Sequence, residues 1–475
     1  MKRTMALLIL TALLASIASC GGTSAGTDTT APDSADTAPS VQDPLMPTTV
    51  KDFGGEEFCI ISMDNMPYIN AEELNGNAIN DALYKRDRET EAKLNVNITY
   101  DLYNHKEVFG NVQKAVLAGD HIYDLVINHV NWDLTNYATE NLVVDWNTVP
   151  HVDFTKPYWH SNVIESLSID GRAPFAASDV AITEVMFLLY NKQLANELQL
   201  DSLYDYVYDG TWTWDKLAEI SASVVSDING DTKFDKNDRY GIVVDCSGSS
   251  SMLRSVPSAC DLYIYNNGKN GLELTVNNEK TVTILNKSID LFHGGGGLIV
   301  KEDDMELPES VALFAQGNYL TYFVRSTSAP SAFNDLPFDY GFLPLPKYDE
   351  DQEKYLSLSW DCNLLITKLA DIEKSGLVSE WLSYYSYKFV RPEYYESLFS
   401  TRFAQDEDST KMLDIIFGNL VFDPGMNFKS TNFYTYFDGM VLASYTEFAS
   451  YYAKSEPSEL EYIAKLNETF KNFGK

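Results

Sequence analysis

Histidine and cysteine are scarce in this chain, 6 and 5 among 475 residues. So few histidines leave no basis for a His-rich metal centre, and no CxxC or Cys/His cluster spacing points to metal or redox chemistry. HExxH is absent and no GxSxG occurs in the body that follows residue 50, which removes the common metallopeptidase and serine-hydrolase signatures there. Positive charge is also short: 35 Lys plus Arg stand against 69 Asp plus Glu, for a net charge of −34. Such a field repels phosphate backbones, so nucleic acid is excluded as a partner. After the N-terminal segment no apolar run is long enough to span a bilayer. Tandem repeats are missing too, which sets aside an adhesive or structural array.

What is present is the composition of a globular protein, 45% hydrophobic and 13% aromatic, with 30 Tyr, 24 Phe and 7 Trp. The length accommodates two or three domain-sized units.

Lys2 and Arg3 precede an uncharged apolar run from Met5 to Ala18, the charged tip and hydrophobic stretch of a secretory signal. Ile17, Ala18, Ser19 and Cys20, followed by Gly21 and Gly22, resemble the lipobox of bacterial lipoproteins. The resemblance implies a signal peptide over 1–19 and a Cys20 that carries acyl chains such as palmitate on the outer face of the cell membrane. From Thr23 to Thr49 the chain is Thr, Ser, Ala, Asp, Gly and Pro with few large apolar residues, so 20–50 is expected to be a flexible stalk. In an oxidising exterior the remaining Cys59, Cys246, Cys260 and Cys362 permit disulfides. Cys246 and Cys260 enclose a short loop and could pair, but free buried thiols are the preferred reading.

The body alternates short β-branched or aromatic runs with helical patterns, the signature of an α/β protein with a largely parallel sheet. Strands are expected at Phe58–Ser62, Val96–Leu102 and Tyr123–Ile127, with helices at Asn80–Leu94, Val108–Ala118 and Leu134–Glu140. This βαβαβα order predicts a doubly wound lobe whose ligand lies beyond the strand C-termini. The pattern restarts after Asp179 with a strand at Val185–Tyr190, a helix at Lys192–Leu198 and another helix opening at Thr213. The run Val282–Phe292 before Gly294–Gly297 reads as a helix with a glycine stop, not a phosphate loop.

Several stretches in this order resemble the extracellular solute-binding proteins of ABC importers, of the maltose-binding type. They are FLLYNKQL at Phe187–Leu194, TWTWDKL at Thr211–Leu217, FAQGNYL at Phe314–Leu320 and YGFLPLP at Tyr340–Pro346. The resemblance implies a two-lobed α/β fold, each lobe a mostly parallel sheet flanked by helices, joined by two or three hinge crossovers. Its lobe boundaries are expected at 51–183 with 322–366, and at 184–321 with 367–475. It implies a monomer without enzymatic activity that captures a small solute, a sugar or oligosaccharide, for the membrane subunits of an ABC permease. The rival reading is a secreted acidic glycan hydrolase using an Asp/Glu pair, which sequence leaves open because pairing is spatial.

Aromatic faces for stacking and carboxylates for hydroxyls are what a sugar cleft needs. Trp132 and Asp133 follow the third strand, with Asn128 and His129 in the same turn. Glu184 precedes the fourth strand at the place of an acidic hinge contact in maltose-binding-like proteins. Trp360 and Asp361, flanked by Ser359, are expected in the cleft. Arg325 ends the strand from Tyr319 and is expected to form an interlobe salt bridge or bind a ligand carboxylate. Trp159, Trp212 and Trp214 read as packing residues, and the tyrosines from Tyr384 to Tyr395 as mainly core.

Asp227 to Asp238, DINGDTKFDKND, is the sharpest local motif. Asp227, Asn229, Asp231, Asp235 and Asp238 fall at positions 1, 3, 5, 9 and 12 of an EF-hand-type loop, with the Lys233 carbonyl at 7. Thr232 replaces the usual glycine at position 6 and Asp238 the usual glutamate. The loop resembles dockerin-type calcium sites, and structural Ca2+ is expected there, the alternative being an Asn-Gly turn in an Asp-rich chain.

Overall fold

Strand pairs buried on both faces and capped helices account for most of the chain. The computed structural model describes residues 43–301, 307–333, 336–360, 362–399 and 406–474. The signal segment, Cys20, nearly all of the stalk before Asp43, and Asp361 lie outside the described residues. Leu45–Lys475 is one unit and is described by itself.

The strands of its two main sheets are β1 (Glu56–Met63), β2 (Val96–Tyr103), β3 (Leu125–His129), β4 (Met186–Asn191), β5 (Tyr240–Asp245), β6 (Gly297–Val300), β7 (Tyr319–Arg325), β8 (Tyr340–Leu343) and β9 (Cys362–Ile366). The first sheet has the order β9-β3-β1-β2, parallel except where β9 runs against β3. The second has the order β8-β4-β7-β5-β6, parallel through β7-β5-β6 and antiparallel through β8-β4-β7.

Alternation along β1 explains the layering, because successive side chains point to opposite faces. Phe58 and Ile60 enter a core with Leu377 and Trp381, whereas Cys59, Ile61 and Met63 enter another with Val108 and Val112. Side-chain caps start the long helices where the sequence placed them. Asn77 accepts from Asn80 N at the head of Ala78–Leu94, and Thr213 from Lys216 N at the head of Trp214–Val224. Helix Glu279–His293 stops at Gly294, where a Cβ would meet Asp290 O at 2.3 Å.

Sheet membership divides the expected lobe boundaries differently. β7 and β8 belong to the second sheet, so 322–366 is split, and only β9 at its end joins the first. Helix Ile372–Tyr385, expected in the second lobe, packs its Leu377, Val378 and Trp381 into the core with β1 and β3. The chain therefore leaves the first sheet along 179–185 and has Ser359 and Trp360 on its way back to β9. Helix Glu407–Gly418 lies with the second sheet, where Tyr204 and Ser409 hydroxyls meet at 2.8 Å.

A fully buried cation anchors the outward crossover. Arg86 is bonded to Asp87 at 2.7 Å, to Tyr100 Oη at 2.8 Å, and to the carbonyls of Ile69 and Val180. Burial raises the Tyr100 hydroxyl far above its ordinary range, so it stays protonated. Breaking such a buried pair costs about 3–5 kcal/mol, because it strands one charge. Cys59, Cys246 and Cys260 are free thiols. No helix among the described residues is long and apolar enough to cross a membrane.

Candidate functional site

In doubly wound sheets the ligand crevice lies beyond the strand C-termini at a topological switch point. Here β3 ends at His129, β5 at Asp245 and β7 at Arg325, with the crossovers running between them. Asn128 shapes the first wall: its buried amide donates to Trp132 O at 2.9 Å and folds the turn after β3. Trp132 is partly exposed, its ring 3.9 Å from that of His105 beyond β2. Asp133 adopts a left-handed φ of 55° and starts the helix Leu134–Thr139, its carboxylate accepting from Asn136 Nδ2 at 3.1 Å.

The opposite wall is a chain of paired polar groups. Arg325 lies 3.2 Å from Glu184 and donates to Ser251 Oγ at 2.6 Å, while Thr327 Oγ1 donates to the other Glu184 oxygen. Because Met186 of β4 pairs with Arg325 of β7, this salt bridge lies at the end of the second sheet and is not an interlobe one. Ser250 Oγ donates to Asp438 at 2.7 Å, and Arg254 holds the same carboxylate at 3.0 Å. The Arg254 guanidinium also stands 4.7 Å from the Tyr434 ring centroid. Tyr434 Oη donates to Asn131, and Lys429 Nζ reaches Asn131 O at 3.3 Å, which joins this wall to the turn after β3. Beside Arg325 a cavity of about 360 Å³ is lined by Asp245, Ser249, Met252, Tyr322 and Phe333.

Trp360 is a correction. It was expected to face the cleft, yet it is 1% exposed. Ser359 N donates to Val421 O and Trp360 N to Glu184 O, both at 2.9 Å, so the segment runs as a paired strand between the crossover and residue 421. Its indole Nε1 is buried without a hydrogen-bond partner. Asp361 lies outside the described residues. Trp159, Trp212 and Trp214 are buried packing residues, as are Tyr384, Tyr385 and Tyr394.

Sequence reasoning missed Asn131, Ser250, Ser251, Arg254, Lys429, Tyr434 and Asp438. The small polar run Ser247–Ser251 directly after a predicted strand was a usable signal for the loop beyond β5. Tyr434 and Asp438 carried none, because nothing local distinguishes them within an aromatic-rich segment.

No family model matches the chain, and no curated protein does. Solved structures do. Protein Lmo0181 of Listeria monocytogenes, an ABC substrate-binding protein in complex with cycloalternan, is 15% identical, with a TM-score of 0.55 over 86% of this chain and 99% of its own. The cyclic alpha-maltosyl-1,6-maltose binding protein of Arthrobacter globiformis is 14% identical, with a TM-score of 0.58 over 88% and 100%. The sugar-binding protein MalE of Xanthomonas citri is 13% identical, with a TM-score of 0.57 over 88% and 98%. The fold is that of the two-lobed solute-binding proteins. At these identities the likeness is one of fold.

Within this solute-binding fold the Asp-rich loop lies away from the cleft. Asp227 accepts from Gly230 N and Thr232 N, Asn229 from Asp231 N, Asp231 from Lys233 N, Asp235 from Asn237 N, and Asp238 from Ile228 N and Asp235 N. Thr232 takes the left-handed φ of 66° that glycine usually supplies at that position. Among the described residues no three His, Cys, Asp or Glu side chains are gathered as metal ligands would be.

His129 supplies a pH signature. Burial, and then the nearby Arg325 charge, push its pKa down from 6.5 to about 4. The folded state therefore holds it neutral while the unfolded chain takes up a proton first, so its contribution is present above pH 6.5 and is lost as pH falls towards 4. A His129→Gln variant should show a flatter fall in urea midpoint across that window than the unsubstituted protein. Parallel pH profiles would refute this assignment.

Proposed function

We propose that the protein is an extracellular solute receptor that closes two lobes on a sugar or oligosaccharide and delivers it to an ABC permease. The observation that carries this reading is the cleft's construction: an accessible indole on one wall, and on the other a row of hydroxyls and carboxylates already fixed by arginines. A pyranose presents C–H faces to the first and hydroxyls to the second. Fixed acceptors favour specificity, because a ligand lacking a hydroxyl would leave them unpaired. The sugar ligands named for proteins of this fold, cycloalternan and maltosyl-maltose among them, support it. Glu184 and Asp438 are each held by an arginine and a hydroxyl, an arrangement suited to binding and not to proton transfer at a glycosidic bond.

Calorimetry against a glycan panel tests the reading. A sugar should bind, and Trp132→Ala should weaken it about tenfold, the worth of one lost ring contact. Silence across sugars with a hit among peptides or amino acids would overturn the sugar assignment, and turnover of a glycan would favour the hydrolase.

The lipobox-like segment supports membrane attachment through an acylated Cys20, with the body acting as a monomer. Cys20→Ala should move the protein from the membrane fraction to the medium; retention on the membrane would exclude this anchor. The EF-hand-type spacing and the left-handed Thr232 support calcium uptake by the Asp227–Asp238 loop, with its carboxylates turning from backbone amides to the ion. Added Ca2+ should raise the melting temperature, and Asp227→Ala should abolish the rise. An unchanged Tm would count against the site.

A further inference from the structure

The outward crossover has two sides, and only one faces the cleft. Glu184 turns to Arg325, whereas its neighbour Thr183 lines a separate cavity of about 370 Å³. That volume is at the small end of the roughly 300–1,000 Å³ typical of small-molecule sites. Its walls are Trp159, Asp179, Tyr387, Arg391, Tyr395 and Phe417.

The lining is built for a neutral ligand with apolar faces and a polar rim. The Arg391 guanidinium stands 5.3 Å from the Tyr387 centroid and 5.2 Å from that of Tyr395, and the Tyr395 and Phe417 rings lie 5.0 Å apart. Asp179 faces Arg391 at 3.5 Å and His160 at 3.4 Å, so the one carboxylate and the one guanidinium cancel. Two polar atoms there are underused. Asp179 Oδ2 is the oxygen held by Arg391 and makes no further hydrogen bond, and the hydroxyl of Tyr394, which is 1% exposed, is buried without one. A buried hydroxyl and a carboxylate held by a guanidinium, beside stacked rings, suit the hydroxyls and C–H faces of a sugar. A zwitterion would have to break the Asp179–Arg391 pair.

The cavity is also shared between lobes. Trp159 comes from the core of the first sheet, the helix Arg391–Phe399 packs against both Ala78–Leu94 and Ala329–Ala332, Asp179 to Thr183 belong to the crossover, and Phe417 to the helix packed on the second sheet. We propose that this cavity is a second carbohydrate site, for a neutral unit of one or two rings, whose occupancy is coupled to lobe closure. The proposal rests on the two-lobed reading but not on the cleft itself binding sugar. A ligand touching both lobes favours one closure state, so it must alter cleft affinity by the same factor as the cleft ligand alters its own.

The test is calorimetry and saturation-transfer NMR on the full protein with D-glucose, maltose and raffinose as probes, and L-glutamine as the zwitterionic control. At least one sugar should show a second binding event whose affinity Trp132→Ala leaves unchanged, and adding Tyr395→Ala should weaken that event about tenfold, the size of one lost ring stack. Tyr395→Ala alone should leave the cleft isotherm in place. Arg391→Gln serves as the second variant if Tyr395→Ala fails to fold. If Trp132→Ala weakens all sugar binding and Tyr395→Ala changes none of it, the second site falls while the proposed function stands. Binding that depends on Tyr395 but not on Trp132 does the reverse. L-glutamine binding that depends on Tyr395, without any sugar doing so, overturns the carbohydrate class, and silence of all probes overturns both readings.

Discussion

Two main-chain hydrogen bonds and one from a main-chain amide to a serine hydroxyl set the geometry of everything near the outward crossover. Ser326 N donates to Val185 O and Trp360 N to Glu184 O, both at 2.9 Å, while Val185 N donates to Ser326 Oγ at 3.1 Å. The exit of β7 thus braces one edge of the crossover and the returning strand braces the other. An extended segment held along both edges can present side chains only above and below. Glu184 and Thr183 consequently divide the space into the Arg325 cleft and the Arg391 cavity, and Trp360 is sealed between strands.

Charge is distributed in a way that the overall acidity conceals. The chain as a whole has an excess of 34 negative charges. On the cleft wall opposite Trp132 and Asp133, however, Arg254, Arg325 and Lys429 stand among Asp245, Glu184 and Asp438, a local balance of three and three. Paired charges behave as fixed dipoles that present hydrogen-bonding edges without a net field. Such a surface holds a neutral polyol without having to desolvate an unpaired ion.

The strands and helices around the site were legible because their signals are local. Phe58–Ser62 was expected and Glu56–Met63 is found; Val96–Leu102 becomes Val96–Tyr103; the helix after Thr213 begins at Trp214. The positions of Trp132 just after β3 and Arg325 at the end of β7 followed from the strand pattern, whereas Glu184 was singled out by the resemblance to the maltose-binding type. Trp360 was misread because its polar neighbours looked like a wet edge, although their amides are consumed by strand pairing. The segment 322–343 was given to the wrong sheet for a related reason: an apolar strand carries no mark of which neighbour it will bond.

By itself, then, the sequence determined the α/β alternation, the caps that start the helices, the acidic excess and the strand-end residues, all of which depend on neighbours a few positions away. The tertiary structure alone decided which sheet each strand joined, the meeting of Asn131 with Tyr434, and the cavity gathered from residues 157–183, 387–395 and 417–420. Those depend on main-chain pairing and packing between segments far apart in the chain, where residue identity permits many partners and only the whole fold selects one.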